Sequence, residues 1–117
     1  MVSFKNKVQL IGYIGQEVQL RKLNNGTSVA TISLATNNSY KKANGEVVKT
    51  TDWHTLIAWG RTAELFHELT GKGKQVAICG QLRYNTYNDK NGKPQRTTQI
   101  FVQEFLVLSP ADKHSSK

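Results

Sequence analysis

The sequence predicts an all-β domain with one short helix, on the strength of three observations. Apolar and polar residues alternate in most segments, one segment repeats its apolar residues at helical spacing, and Asn-Gly pairs occur where strands have to reverse. The length of 117 residues fits one domain of ordinary size. A hydrophobic content of 38% is enough for one core, so the chain is expected to fold.

The first strand is predicted over residues 4–23 and has to bend, because Gly12 and Gly15 interrupt it. A hairpin turn at Asn25-Gly26 follows. It leads into a second strand over residues 29–36, one face of which carries Ala30, Ile32 and Leu34.

Residues 37–49 are predicted to form a long polar loop with its own turn at Asn44-Gly45. Loops of this length in a compact domain are often functional. The third strand covers Thr50–Trp59. After it the period changes, and a short amphipathic helix is predicted over residues 61–70 from the spacing of Ala63, Phe66 and Leu69.

Two further strands complete the pattern, over residues 75–87 and 95–108, with a turn cluster at residues 88–94 between them. One side of the fourth strand is predicted to carry Val76, Ile78, Leu82 and Tyr84. Five strands with one helix between the third and fourth is the element order of the OB-fold, a Greek-key barrel. We therefore expect an OB-fold domain over residues 1–108 and a short polar tail over residues 109–117.

The charge of the chain narrows the class of partner. It has 16 Lys and Arg against 8 Asp and Glu, a formal net charge of +8 and a pI near 9.8, which favours partners rich in phosphate or acidic groups. No apolar run is long enough to span a membrane, and the N-terminus lacks the apolar stretch of a secretory signal. A single cysteine, Cys79, excludes an internal disulfide framework and fits a reducing compartment. A cytoplasmic protein with no membrane partner is expected.

The third strand carries the most informative side chains. Because side chains alternate along a strand, Trp53 and Trp59 share one face, and the other face carries His54, Leu56 and Ala58. Two tryptophans on one face can belong to a core, as large aromatic residues usually do. They can also form an open platform for unpaired bases, since an indole offers its π-face to any base.

Tyrosines and cations occur together in the two predicted loops. Tyr40 neighbours two lysines, and residues 37–49 hold three lysines and one glutamate. Tyr87 precedes the second loop, where residues 83–96 hold four cations and one aspartate. Aromatic residues beside lysines suit stacking with bases better than they suit a core. On an OB-fold frame this combination predicts a nucleic-acid surface.

Catalytic and metal-binding patterns are weak. Glu64 and Glu68 lie one helical turn apart, as solvent-facing helix charges do, and Asp52 lacks the second carboxylate of metal-assisted phosphodiester chemistry. No spacing typical of zinc ligands joins His54, His67, Cys79 and His114. We expect His54 to be packed or interfacial, His67 to be exposed, and Cys79 to be a small buried hydrophobe. No enzyme activity, metal or cofactor is predicted.

Motifs along most of the chain resemble those of bacterial-type single-stranded DNA-binding proteins. The resemblance opens with NKVQLIGYIG at residues 6–15 and continues through the following stretches: Asn25-Gly26, VATISLAT at 29–36, TDWH at 51–54, KGKQV at 72–76, GQLR at 80–83 and Thr97-Thr98. These stretches stand in the same order as in the family, with compatible spacing. They cover roughly residues 4–108.

The resemblance implies four aromatic positions that stack bases along a wrapped path, and by motif these fall on Tyr40, Trp53, Trp59 and Tyr87. The first and last are often tryptophan in the family, and tyrosine is expected to stack less strongly. A homotetramer with first strands paired across a dimer interface is also implied. Relatives usually continue into a flexible linker with an acidic tip that docks replication and repair enzymes. This chain ends at Lys117 without them, either truncated or naturally tail-less, so tail-mediated partners are not expected.

The resulting hypothesis is a non-enzymatic protein that binds single-stranded DNA without sequence specificity during replication, recombination and repair, in the cytoplasm and nucleoid. Bases stack on the four aromatic residues while cations neutralise phosphates, with the candidate phosphate contacts Lys7, Lys41, Lys42, Lys49, Arg61, Lys72 and Arg83. The nearest alternative is a primosomal replication accessory on the same fold that acts through protein contacts. An RNA chaperone and a small OB-fold nuclease are further alternatives, the nuclease being disfavoured because the sequence has no acidic cluster.

Overall fold

The computed structural model describes residues 5–109. Within this range the chain forms six strands and one helix, in the order β1 (Val8–Ile14), β2 (Gln19–Lys22), β3 (Ser28–Lys41), β4 (Val47–Trp59), α1 (Gly60–Leu69), β5 (Gln75–Asn88) and β6 (Pro94–Val107). Phe4, where the first strand is predicted to begin, and residues 110–117 of the predicted tail lie outside the described residues. Ser109 is hydrogen-bonded to β5, since its Oγ accepts the Gln75 N–H at 2.6 Å.

Five of these strands close into a barrel. Neighbours follow the order β1, β5, β6, β4 and β3, and a pairing between β1 and β3 closes the ring. The pairing of β4 with β6 is parallel, whereas the other strand pairs are antiparallel. With α1 placed after β4, this arrangement confirms the predicted five-stranded OB-fold with one helix.

The predicted first strand is divided into β1 and β2, which are separated by residues 15–18. Both halves use the same edge of β3: β1 pairs with Leu34 and Ala35, and β2 pairs with residues 28–31. The division begins at Gly15, so the predicted bend is present there. Gly12 lies inside β1, where a Cβ would collide with the carbonyl oxygen of Ala35. Its small size therefore permits the close approach of β1 and β3 rather than a break.

The predicted reversals are confirmed at the two Asn-Gly pairs and in the turn cluster after β5. Gly26 and Gly45 both have φ near +88°, and Gly92 has φ of +78°. Glycine suits all three positions because a side chain is strained at positive φ.

The prediction of a long loop over residues 37–49 is wrong. β3 continues to Lys41 and β4 begins at Val47, so only a short turn separates them. The backbone groups pair across this hairpin without interruption from Asn37 opposite Thr51 to the end of β3. Side chains on both faces of this part are mostly exposed, so the apolar alternation that indicates a strand is missing from the sequence.

The core fills the barrel from the inward-facing positions and is closed by α1. Its largest buried side chains are Phe66, Ile14, Ile32, Leu34, Leu56 and Ile78. The helix buries Ala63 and Phe66, and the Phe66 ring lies 4.5 Å from the Phe105 ring, centroid to centroid. Leu69, the third residue of the predicted helical spacing, is exposed, because steps of three residues fall short of the 3.6-residue turn.

Candidate nucleic-acid interface

Two β-hairpins project beyond the barrel, and we call them the β3–β4 arm (residues 37–51) and the β5–β6 arm (residues 83–99). β4 and β6 each run from the tip of an arm into the barrel, where they lie parallel with Leu56 opposite Ile100. The two arms therefore leave the same end of the barrel.

Each strand of the interface has two faces. We call the side that points away from the core the outer face, and the side that continues the core side onto the arms the inner face. Residues directly paired across an antiparallel ladder share a face. The unbroken pairing from Val29 opposite Trp59 to Lys41 opposite Val47 fixes these faces along β3 and β4.

The two tryptophans lie on the outer face of β4. Trp53 is 61% exposed and Trp59 is 43% exposed, whereas Leu56 and Ala58 between them are fully buried on the opposite side. The interpretation of the tryptophans as core residues is therefore wrong. They are six positions apart on the strand, a distance of about 20 Å, so they offer two separate stacking surfaces.

Trp53 lies directly over Gly15, at the bend between β1 and β2. A Cβ at Gly15 would overlap the Cζ3 atom of the indole, and the next ring atom, Cη2, lies 2.7 Å from the same point. The absence of a side chain at Gly15 thus lets the indole rest on the backbone while its other face stays open to solvent. The bend of the first strand and the position of Trp53 are therefore linked.

Trp59 borders a shallow groove on the outer face. Its ring meets Phe101 of β6 in an edge-to-face contact, with centroids 6.0 Å apart, and the Arg83 guanidinium lies 5.5 Å from the Phe101 centroid. The groove has a volume of about 270 Å³ and is also lined by Arg21, Asn85 and Gln99. An aromatic wall with amide and guanidinium groups at its edge is suited to a nucleobase and its phosphate.

The predicted tyrosines lie on the arms, on opposite faces. Tyr40 belongs to β3 rather than to a loop, and it pairs with Val48 on the inner face. Tyr87 of β5 pairs with Gln95 on the outer face, as Arg83 does with Gln99. Both tyrosines are about half exposed. Trp53, Trp59 and Tyr87 thus share the outer face, and Tyr40 does not.

All seven predicted phosphate contacts are exposed, and four of them lie on the arms: Lys41, Lys42, Lys49 and Arg83. The ammonium group of Lys42 is 3.7 Å from the Glu46 carboxylate. The other three are distributed around the barrel. Lys7 precedes β1, Lys72 lies in the turn after α1, and Arg61 of α1 is 3.7 Å from Glu64.

The acidic residue of the β5–β6 arm is used by its turn. The Asp89 carboxylate accepts hydrogen bonds from the backbone N–H groups of Lys93 and Asn91, each at 2.9 Å, and from the Gln95 amide at 3.1 Å. The Lys93 hydrogen bond is the main reason that the pKa of Asp89 lies below its ordinary value; desolvation opposes it, and the hydrogen bonds from Asn91 and Gln95 lower the pKa further. This carboxylate is therefore committed to the turn.

Sequence reasoning missed two aromatic residues. Tyr84 is predicted on the core side of its strand but is 54% exposed, because the core ends at Leu82 and the strand continues into the arm. Phe101 stands between Ile100 and Val102, and alternation along β6 would have placed it on the outer face.

The histidines and the cysteine are expected to have no part in a metal site. His54 is half-buried, and its Nε2 is 2.9 Å from the Thr36 hydroxyl. His67 is exposed on α1 as predicted, whereas Cys79 is half-buried rather than buried, because it lies on the outside of the barrel wall. Over residues 5–109, no group of three or more His, Cys, Asp and Glu side chains is arranged to hold a metal ion. No helix in this range is long and apolar enough to cross a bilayer.

An OB-fold with exposed tryptophans and basic arms defines a class of nucleic-acid-binding proteins that act on single strands. The chain matches the Single-strand binding protein family over residues 5–108. It belongs to that family.

Named relatives and solved structures agree with this assignment. The chain is 34% identical over 108 residues to single-stranded DNA-binding protein 1 of Chlorobaculum tepidum, covering 92% of this chain and 67% of the relative. It is 36% identical over 104 residues to single-stranded DNA-binding protein 1 of Xylella fastidiosa, covering 88% and 76%.

Among solved structures, the Plasmodium falciparum SSB complex with ssDNA superimposes with a TM-score of 0.83 at 31% identity, covering 93% of this chain and 98% of that one. A deletion mutant of the Thermus aquaticus single-stranded DNA binding protein has a TM-score of 0.78 at 23% identity, covering 91% and 51%. The second similarity is one of fold.

Proposed function

We propose that the protein binds single-stranded DNA without sequence specificity, as a non-enzymatic coat for strands exposed in replication, recombination and repair. One observation carries the proposal: Trp53 and Trp59 are exposed on the outer face that continues onto the basic arms. Leaving two indoles in water is unfavourable for folding, and stacking with bases uses the same surface. Membership of the family and the similarity to the Plasmodium SSB complex with ssDNA support the choice of DNA.

In the proposed complex, bases stack on Trp53, Trp59, Tyr40 and Tyr87. Stacking does not depend on which base is present, because every base has a π-face. Since Tyr40 is on the inner face, a strand that uses all four residues has to pass around the β3–β4 arm. Phosphates are neutralised by Lys7, Lys41, Lys42, Lys49, Arg61, Lys72 and Arg83, and each neutralised phosphate releases counterions.

We further propose that the protein forms a homotetramer in the cytoplasm and nucleoid. β1 pairs with β3 only at Tyr13 and Ile14, so among residues 5–109 no strand pairs with its other edge from Val8 to Gly12. The outside of the barrel carries Ile11 of β1, 52% exposed, and Leu106 of β6, 67% exposed, which share a face because both are paired with Ala77 of β5. An unpaired strand edge beside apolar side chains favours association with another copy.

Titration with oligo(dT) of about 16 nucleotides, at the upper limit for one OB-fold, tests the DNA proposal. The chain has 2 tryptophans, so Trp53→Phe and Trp59→Phe each leave one reporter of emission. Trp53→Ala and Trp59→Ala are each expected to weaken binding by ~1–3 kcal/mol. His67→Ala, on the exposed side of α1, is the control and should bind as the parent does.

Binding that is insensitive to salt, or emission that does not change, would contradict the proposal. An adapter that acts through protein contacts should instead keep its partner binding when Trp53 and Trp59 are replaced by alanine. Matched RNA oligomers test the preference for DNA. Light scattering tests the tetramer. The Leu106→Glu variant should have a smaller molar mass in solution than the parent, because a charge on this face opposes association.

A further inference from the structure

Tyr84 and Arg96 form a pair that is not among the proposed contacts. The Arg96 guanidinium carbon lies 3.9 Å from the centroid of the Tyr84 ring, the distance of a stacked cation–π contact. Although the guanidinium covers one face of the ring, Tyr84 is still 54% exposed. A tyrosine so exposed adds little to the core, and an aromatic ring beside an arginine is a combination that binds single strands.

The pair lies on the inner face of the β5–β6 arm. Tyr84 pairs with Thr98, and Arg96 pairs with Thr86, whereas Tyr87 is on the outer face of the same arm. The arm therefore presents one tyrosine on each side.

The inner face of the other arm carries Tyr40, and both arms leave the same end of the barrel. Tyr40 and Tyr84 are thus the aromatic residues that a strand meets after it passes from the outer face around the arms. Both inner faces lie on the opposite side of their strands from the outer face, which carries the tryptophans.

The charge of Arg96 is available to an anion. Within the described residues it is in no ion pair, whereas Lys42 and Arg61 each have a carboxylate within 4 Å. The one acidic side chain of the arm, Asp89, is held by the turn. The inner face therefore carries an arginine whose charge is not neutralised by any carboxylate of residues 5–109.

On the basis of the proposed function, we propose that Tyr84 stacks with a base of the bound single-stranded DNA and that Arg96 contacts the adjacent phosphate. With the guanidinium on one face of the ring, the base takes the other face. The bound strand then continues from the outer face onto the inner face of the β5–β6 arm.

Affinity for oligo(dT) of about 16 nucleotides tests the stacking step. Tyr84→Ala is expected to weaken binding about 5- to 150-fold, from the usual strength of one base–aromatic stack, and Tyr84→Phe to retain most of it. Thr86→Ala, on the same face of the arm, is the matched control and should bind as the parent does. Equal affinity of Tyr84→Ala and the parent would overturn the proposal.

The salt dependence of binding tests the phosphate contact. Arg96→Gln is expected to reduce the slope of log K against log salt by about 0.7, the value for one phosphate on a single strand. Arg96→Lys should keep the slope while lowering the affinity, because lysine keeps the charge and loses the planar stack. If Arg96 only covers Tyr84, Arg96→Gln leaves the slope unchanged, and the proposal fails.

Trp59→Ala distinguishes this proposal from the one on which it rests. If Trp59→Ala weakens binding and Tyr84→Ala does not, the inner-face contact is wrong and the DNA-binding function stands. If the parent protein itself does not bind the oligonucleotide, the proposed function is wrong. These readouts do not require Tyr84→Ala to be as stable as the parent, because Tyr84→Phe and both Arg96 changes test the same pair.

Discussion

Strand β4 passes through two environments, and the contrast between them explains the division of tasks in the molecule. In the barrel, Leu56 and Ala58 are fully buried and contribute to the core. In the β3–β4 arm, residues 47–51 are mostly exposed on both faces and are held by cross-strand hydrogen bonds and a turn. The barrel is stabilised by apolar burial, and the arms depend on local pairing. Changes in the barrel should therefore alter unfolding, and changes in the arms should alter binding.

The largest effect is expected in the core. Phe66 is fully buried and packs against Phe105, so Phe66→Ala should lower the free energy of unfolding by ~3–5 kcal/mol through lost contacts and a cavity. Urea denaturation followed by circular dichroism measures the change, at equal protein concentration because association adds to stability. The folded fraction should bind oligo(dT) as the parent does. A loss of affinity without a loss of stability would contradict the separation of barrel and arms.

A smaller effect is expected where the barrel supports the interface. Gly15→Ala places a methyl group inside the volume of the Trp53 ring, so the indole has to move. Affinity for oligo(dT) should fall towards that of Trp53→Ala, by ~1–3 kcal/mol, and the tryptophan emission should change. Gly71→Ala is the matched control, since nothing lies within 4 Å of a Cβ there. Unchanged emission and affinity in Gly15→Ala would show that Trp53 does not need this support.

The barrel could be predicted from the sequence, and the extent of the arms could not. Alternation of Ala30, Ile32 and Leu34 predicts a strand because one side of it is buried. Gly26 and Gly45 predict turns because their positive φ is a local requirement. The parts of the strands that lie in the arms have no such pattern in the sequence, because both of their faces are exposed to water.

Prediction of the binding site from the sequence is limited in the same way, because it also depends on apolar alternation. The outward position of Trp53 and Trp59 follows from alternation against Leu56 and Ala58. The sequence pattern places Tyr84 correctly on the face of Ile78 and Leu82, but it does not reveal that Tyr84 is exposed, because parity cannot tell where along a strand the core ends. That point depends on the length of the whole barrel, which is a property of the assembled sheet.

Within the β3–β4 arm, the turn should control local order without affecting the barrel. Gly45 has φ of +88°, and an L-residue in the left-handed region costs roughly 1–2 kcal/mol, so Gly45→Ala should loosen residues 42–46. Amide hydrogen exchange of Glu46 and Lys42 should become faster, while the exchange of Leu56 stays the same. Ala43→Ser, a change in the same turn without positive φ, serves as control. Faster exchange of Leu56 as well would mean that arm and barrel open together.

The smallest effect is a pH dependence confined to the other arm. The Lys93 hydrogen bond holds the pKa of Asp89 below its ordinary value, so the charged carboxylate favours the folded turn. This contribution is complete above the ordinary aspartate range and disappears as the pH falls through the lowered pKa. An NMR titration of the Lys93 amide proton should therefore have a more acidic midpoint than the aspartate of an unfolded peptide of residues 88–94. Asp89→Asn keeps an acceptor oxygen and should abolish the titration, whereas a midpoint equal to that of the peptide would show that the turn does not hold the charged form.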